Sequence, residues 1–270
     1  MRLFDTYANN FGGQLTILGL GSQSSFPEQT PEQLVETLSF QEITTFRKLA
    51  AKSHSIGIRG EFTARCLDAM GIRNYQIIGC PSIYLQESYE HMKTVKPCLE
   101  NPLVTFTRNQ STVPYKKCDF VLMQLGAMLN AGWCMQTLAE YPEDLIANIE
   151  LDPAIKEWVK KKRNIFFNCK DWKEWLQKNH FTFCFGSRFH GNMMAFQNGI
   201  PTLWVNHDSR TKELLEFLHL PYVDSSCVTD ADCVSDLIQK CNYHSFLEHY
   251  PELRRQYLLF LKENGVVMKK

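Results

Sequence analysis

The sequence predicts an α/β fold of two Rossmann-like lobes facing a cleft. Three observations predict it. Short apolar runs alternate with helical patterns along most of the chain. The alternation falls into two series separated by a charged, proline-containing stretch. Several apolar runs also end in glycine-rich or cap-rich polar turns, as the strands of a doubly wound parallel sheet do.

In the first series, Leu15–Gly21 (LTILGLG) reads as a buried strand closed by glycine. Thr30-Pro31-Glu32-Gln33 supplies a helix start: threonine cap, proline in the first turn, glutamine closing the capping box. That helix is predicted to run to about Ala51. Ser55–Arg59 is a second strand, and Glu61–Met70 a helix stopped by Gly71. Tyr75–Gly79 is a third strand, ended by Cys80-Pro81-Ser82. The region from Gln86 to Asn101, with Lys96-Pro97 and Asn101-Pro102, reads as a linker, and the N-terminal lobe is assigned to 1–95.

The second lobe, 96–244, opens on a strand at Leu103–Thr107, with Asp119–Leu125 as a further strand. The overlapping Met123–Met135 run reads as helix and loop core. Helices are predicted at Met135–Asn148 and Asp152–Lys162, then a strand at Asn164–Asn168 and a helix at Asp171–Lys178. Phe181–Gly186 is a strand, His190–Asn198 a helix stopped by Gly199, and Thr202–Val205 a strand. Asp208 or Ser209 caps a helix at Arg210–Leu218, and Asp230 caps one reaching about Lys240. The segment 245–264 is predicted as a helix interrupted at Pro251. Its stripe of Phe246, Leu253, Tyr257 and Leu261 would pack on the lobes. Two lobes in series correspond to a GT-B-like arrangement.

Composition limits the function classes. Of 270 residues, 44% are hydrophobic and 21% charged, which is ordinary for a globular chain. The 29 basic residues cancel the 29 acidic ones, so no overall field favours nucleic acid or anionic lipid. Lys160-Lys161-Lys162-Arg163 sits at a helix C-terminus, where it complements the dipole. No apolar run approaches the roughly 18 residues of a membrane span. The first residues lack the pattern of a signal peptide, so a soluble, cytoplasmic protein is expected. Ten cysteines with no CxxC pair read as free thiols in a reducing compartment, not as a disulfide framework or zinc site.

The residues that carry chemistry lie at three strand ends. In Gly186–Gly199 (GSRFHGNMMAFQNG), a hydrophobic strand runs into Gly-Ser-Arg-Phe-His-Gly and a helix begins at once. Strand C-termini form the ligand crevice of an open parallel sheet, and a helix N-terminus there suits an anion. Arg188 would meet phosphate or carboxylate through its bidentate fork. His190 could move a proton near neutral pH. Read as structure alone, Arg188 would pair with an acid and His190 would cap the helix. At the second site, Arg59 follows a strand before Gly60-Glu61. At the third, Asn206, Asp208, Ser209, Arg210 and Lys212 follow another, where plain helix capping is the alternative.

The Gly186–Gly199 stretch, with Gly199-Ile200-Pro201 after it, resembles the G-x-R-x-H-G segment and G-I-P strand start of polysaccharide pyruvyl transferases. Gly57–Thr63 with Gly71-Ile72 resembles that family's R-G-x-x-T/S helix start, and Ile77–Ser82 (IIGCPS) its strand and proline turn. The matches span roughly Leu15 to Val223. An N-x-G-D-type loop expected before the first strand is absent, so the N-terminal lobe reads as shortened.

The resemblance implies a transferase that takes pyruvate from phosphoenolpyruvate and sets it on a sugar as a cyclic ketal. It implies His190 and Arg188 as catalytic, and Arg59, Arg188, Ser187 and Arg210 as donor-binding, with Asn206, Asp208 and Ser209 near the substrate. No cofactor is expected beyond the donor substrate, and no metal. The partners expected are phosphoenolpyruvate and a sugar or glycan acceptor, with no nucleic acid and no membrane span. The alternatives are a nucleotide-sugar-dependent GT-B glycosyltransferase and a non-catalytic, glycan-binding member.

Overall fold

A computed structural model describes residues 6, 8–24, 29–106, 117–135, 152–228 and 234–267. The chain divides into two compact units. One comprises Met1–Ser88, Asp208–His219 and Phe246–Lys270; the other comprises Tyr89–His207 and Leu220–Ser245.

The first unit holds a three-stranded parallel sheet in the order β1-β2-β3: Leu15–Leu20, Ser53–Ile58 and Tyr75–Ile77. Between β1 and β2 lie α1 (Pro31–Glu36) and α2 (Phe40–Ala51), where the sequence reading had one helix. The break is chemical. Ser39 accepts from the Glu42 backbone while the Glu42 carboxylate accepts from the Ser39 backbone, a second capping box that starts a new helix. After β2 comes α3 (Glu61–Ala69), and the core between sheet and helices is built on Ile56, Ile58, Ala64, Leu67 and Ile72.

The second unit holds six parallel strands in the order β6-β5-β4-β7-β8-β9. These are Arg163–Ile165, Gly132–Met135, Pro102–Thr105, Phe183–Gly186, Thr202–Asn206 and Tyr222–Asp224. Counted within the sheet this is the order 3-2-1-4-5-6, that of a dinucleotide-type Rossmann fold. Helices α4 (Lys117–Met128), α5 (Pro153–Lys162), α6 (Cys169–Asn179), α7 (Phe189–Gln197) and α9 (Val234–Gln239) belong to this unit, while α8 (Ser209–Phe217) belongs to the first. Strands β4, β5 and β7 are buried along their whole length, as strands covered on both faces must be.

Two expectations fail here for one reason. Asp119–Leu125, read as a strand, lies within the twelve-residue helix α4. Val121, Leu122, Met123 and Leu125 are all buried, so the helix is apolar round most of its circumference and the 3.6-residue period is erased. Just beyond it, Asn130 takes a left-handed backbone (φ 49°) and ends the helix. That frees Gly132–Met135 to form β5 inside a run read as helix and loop. Met135 therefore ends a strand and does not begin a helix, and the rest of the helix expected at 135–148 lies outside the described residues. So does the Asp230 cap.

The last helix, α10 (His244–Glu263), runs through Pro251 without the expected interruption. An internal proline costs about 3 kcal/mol. Against this, α10 buries Phe246, Tyr250, Tyr257, Phe260 and Leu261, each worth about 1.5–3 kcal/mol. Within the first unit, Tyr84 stacks on Tyr257 at 4.3 Å and on Tyr250 at 6.1 Å, and the Tyr250 hydroxyl donates to the Ile83 carbonyl at 3.2 Å. Phe260 is fully buried against the sheet, where a Cβ on Gly57 would come within 3.0 Å of its ring. Phe260→Ala is expected to cost about 3–5 kcal/mol. An unchanged denaturant midpoint would show that α10 does not close this core.

Candidate active site

In the second unit the strand order reverses between β4 and β7, which places the ligand crevice of such a sheet beyond their carboxyl ends. The turn leaving β7 is fixed there from three sides. From β4, the Thr105 carbonyl accepts from the Ser187 backbone N–H at 2.9 Å. From α4, Asp119 accepts from the Ser187 hydroxyl at 2.6 Å, both residues being buried. From α7, the fully buried Asn192 donates to the Gly186 carbonyl at 2.7 Å and accepts from the Thr105 hydroxyl. Gly186 has φ 152°, and a Cβ there would lie 1.7 Å from the Thr105 carbonyl oxygen, so only glycine fits.

Beyond this pinned turn, Arg188 occupies the N-cap position of α7 with extended backbone and is half-buried. Its side chain makes no capping bond. Phe189 is buried, and the Trp204 indole donates to its carbonyl at 3.3 Å. His190 follows in the first turn and is exposed, its ring edge-on to Phe189 at 5.3 Å. One guanidinium, one imidazole and the positive end of a helix are thus presented together on a buried polar base. Gly199, in the left-handed region (φ 81°), ends α7 as its place in the sequence predicts. At the end of β8, Asn206 is buried and donates to Asp224 of β9 at 2.8 Å, while its carbonyl oxygen has no partner among the described residues.

Arg59, Asp208, Ser209 and Arg210 lie in the first unit. Arg59 follows β2 directly. Its backbone N–H donates to the Leu20 carbonyl and its Nε to the Gly19 carbonyl, each at 2.9 Å. The side chain is laid along the end of β1, where a Cβ on Gly21 would come within 2.7 Å of it. Asp208 caps α8 by accepting from the Thr211 N–H at 2.7 Å, and also accepts from Gln23 at 3.0 Å. The Ser209 hydroxyl accepts from the Ser24 N–H at 3.1 Å. Arg210 is half-buried in the first turn of α8. The loop after β1, Arg59 and the start of α8 therefore form one polar corner.

Three residues of these corners escaped the sequence reading: Asp119, Asn192 and Glu213. Asp119 was hidden in a segment read as a strand. Asn192 lies inside the recognised Gly186–Gly199 stretch, where a small buried amide carries no signal of its own. Glu213 looks like any solvated acid on a helix, yet it is buried on α8. Its carboxylate accepts from the Thr63 N–H at 3.0 Å and the Thr63 hydroxyl at 2.8 Å. Burial pushes its carboxyl up to about 7, against the pull of the Thr63 hydrogen bonds and the Arg59 charge. It also lines a depression of about 350 Å³ with Glu61, Phe62, Ser209, Lys212 and Phe217.

Among the described residues, no group of three or more His, Cys, Asp or Glu side chains could hold a metal ion. No described helix is long and apolar enough to cross a membrane.

A family model described as polysaccharide pyruvyl transferase matches residues 11–209. No curated protein matches the chain. Solved structures that it resembles include Os79 from O. sativa in complex with UDP and deoxynivalenol-3-glucoside, at 14% identity and TM-score 0.40, with 97% of this chain and 70% of that one covered. The glycosyltransferase SnogD from Streptomyces nogalater aligns at 11% identity and TM-score 0.34, over 86% and 81%. The glycotransferase of kitacinnamycin aligns at 10% identity and TM-score 0.36, over 72% of this chain; the chain spans about half of its length, 48%.

Proposed function

We propose that this chain, which belongs to the polysaccharide pyruvyl transferase family, moves pyruvate from phosphoenolpyruvate onto a sugar hydroxyl pair as a cyclic ketal. The observation that carries the reading is the pinned Gly186-Ser187 turn, which presents Arg188 and His190 at the N-terminus of α7. Phosphoenolpyruvate carries a phosphate and a carboxylate on three carbons, and a guanidinium beside the positive end of a helix is suited to such an anion. Arg59 and Arg210 are further donor-binding candidates, and Asn206, Asp208 and Ser209 are candidates for substrate contact.

In the reaction, a proton is delivered to the methylene carbon and one sugar hydroxyl attacks the central carbon. Phosphate leaves, and a second hydroxyl of the same sugar closes the ring. His190 is the candidate for the acid and base steps. Arg188 would offset the charge of the departing phosphate. The five buried thiols among the nine described cysteines, all free, support a reducing, cytoplasmic setting.

The test is incubation with phosphoenolpyruvate and a panel of glycosides. Phosphate release that depends on the acceptor, with a pyruvate ketal on the product, is the expected result. Release of a nucleoside diphosphate from a nucleotide sugar would instead assign a glycosyltransferase. Glycan binding without turnover of either donor would assign a binding protein.

A further inference from the structure

Helix α3 begins at Gly60, which has no side chain with which to cap it. The cap comes from elsewhere in the chain: Glu213 of α8 receives both the N–H and the hydroxyl of Thr63. The approach is so close that a Cβ on Gly60 would lie 2.6 Å from that of Glu213. Thr63 in turn accepts from the Ser22 N–H at 2.9 Å, which joins the loop after β1 to the same carboxyl. The charged and titratable groups around it are Arg59 at the end of β2, Glu61 and Cys66 on α3, and Lys212 and Glu216 on its own helix. Arg59 makes no direct ion pair with Glu213, yet its charge favours the ionised carboxylate.

We propose that Glu213 takes up a proton when the anionic donor settles on Arg59, so that donor binding and protonation of this buried carboxyl are one coupled event. The inference rests on the reading of Arg59 as a donor-binding residue. An anion on Arg59 cancels the positive charge that supports the carboxylate and adds negative charge nearby, while burial already favours the neutral form. The proton comes from solvent and joins Oε1. That oxygen then donates to the Thr63 hydroxyl oxygen, and the Thr63 hydroxyl hydrogen turns from Oε1 to another acceptor, while Oε2 keeps the Thr63 N–H. The new O–H is the one covalent bond formed. Because the free carboxyl titrates near neutral pH, at about 7, a modest change in its surroundings is enough to shift its occupancy. The corner would then accept a highly charged donor without the Glu213 carboxylate beside it.

Calorimetric titration of the full chain with phosphoenolpyruvate at about pH 7.5, in two buffers of contrasting ionisation enthalpy, counts the protons exchanged. The expected result is an uptake of about half a proton or more per donor that Glu213→Gln removes. The donor's own phosphate contributes equally to both proteins and cancels in the difference. Infrared difference spectra of the unsubstituted protein give a second readout that needs no variant: a protonated-carboxyl band should appear when phosphoenolpyruvate is added. Binding that Arg59→Ala weakens but that moves no proton and raises no band would overturn the coupling alone. Binding indifferent to Arg59→Ala would remove the premise, and the proposal with it.

Discussion

Gly186→Ala is expected to leave little or no folded protein. The residue ends β7 with φ 152°, a conformation in which an L side chain is strained in any surroundings. The surroundings are also closed: the added Cβ would sit 1.7 Å from the Thr105 carbonyl oxygen, far inside contact distance. Relief requires β4 and β7 to separate, yet these strands pair along their whole length, from Pro102 opposite Phe183 to Thr105 opposite Gly186. Separation would also strand the buried Ser187–Asp119 and Thr105–Asn192 hydrogen bonds, each costing about 1–3 kcal/mol when one partner is left unmade. With about 1–3 kcal/mol of backbone strain the sum is about 3–9 kcal/mol, a large share of the stability of an ordinary domain. Circular dichroism and denaturant titration of the purified variant measure it. A variant with a native melting curve would show that the turn after β7 is adaptable, and that the pinned geometry of Arg188 and His190 is not built in.

His190→Ala, by contrast, is expected to leave the fold intact and remove turnover. The imidazole is exposed in the first turn of α7, beyond the buried Ser187–Asp119 and Asn192–Gly186 hydrogen bonds. Loss of a general acid costs about a hundred- to ten-thousand-fold in rate. Arg188→Ala should lower turnover as well and should also raise the KM for phosphoenolpyruvate, because it would delete the proposed charge-assisted, two-pronged contact. Steady-state kinetics separate the two: the histidine variant falls mainly in kcat, the arginine variant in both constants. If His190→Ala turns over at a near-native rate with saturating donor, the histidine is structural and another acid carries the proton.

The parts of the fold that could be read from the sequence are those whose local chemistry agrees with their surroundings. The Thr30-Pro31-Glu32-Gln33 start, the Asp208 cap and the stop at Gly199 are side-chain and backbone effects confined to a few residues, and they are found where the sequence places them. The buried centre of the second unit was harder to read. Helix α4 is covered on most sides, so its pattern is uniformly apolar and resembles a strand. The candidate site divides in the same way. Arg59, Arg188 and His190 are polar residues at strand ends, and strand ends can be found by inspection. Asp119, Asn192 and Glu213 matter because of what lies across from them. Glu213 and Thr63 are 150 positions apart, and nothing local to either residue announces the other.

The division of the chain has a consequence for how the molecule is made. The first unit draws on three separate stretches, and two of them, carrying α8 and α10, follow most of the second unit in the chain. On a ribosome the strands β1, β2 and β3 emerge early but cannot cover Gly57 or cap α3 until Phe260 and Glu213 have been synthesised. The six-stranded sheet, completed by β9 at Tyr222–Asp224, can close before Phe260 is made. The last unit to be finished is thus the first to be started, and its apolar sheet face waits exposed through most of translation, when a nascent chain is most open to aggregation. Cutting the gene at residue 88 would yield a fragment held permanently in that state.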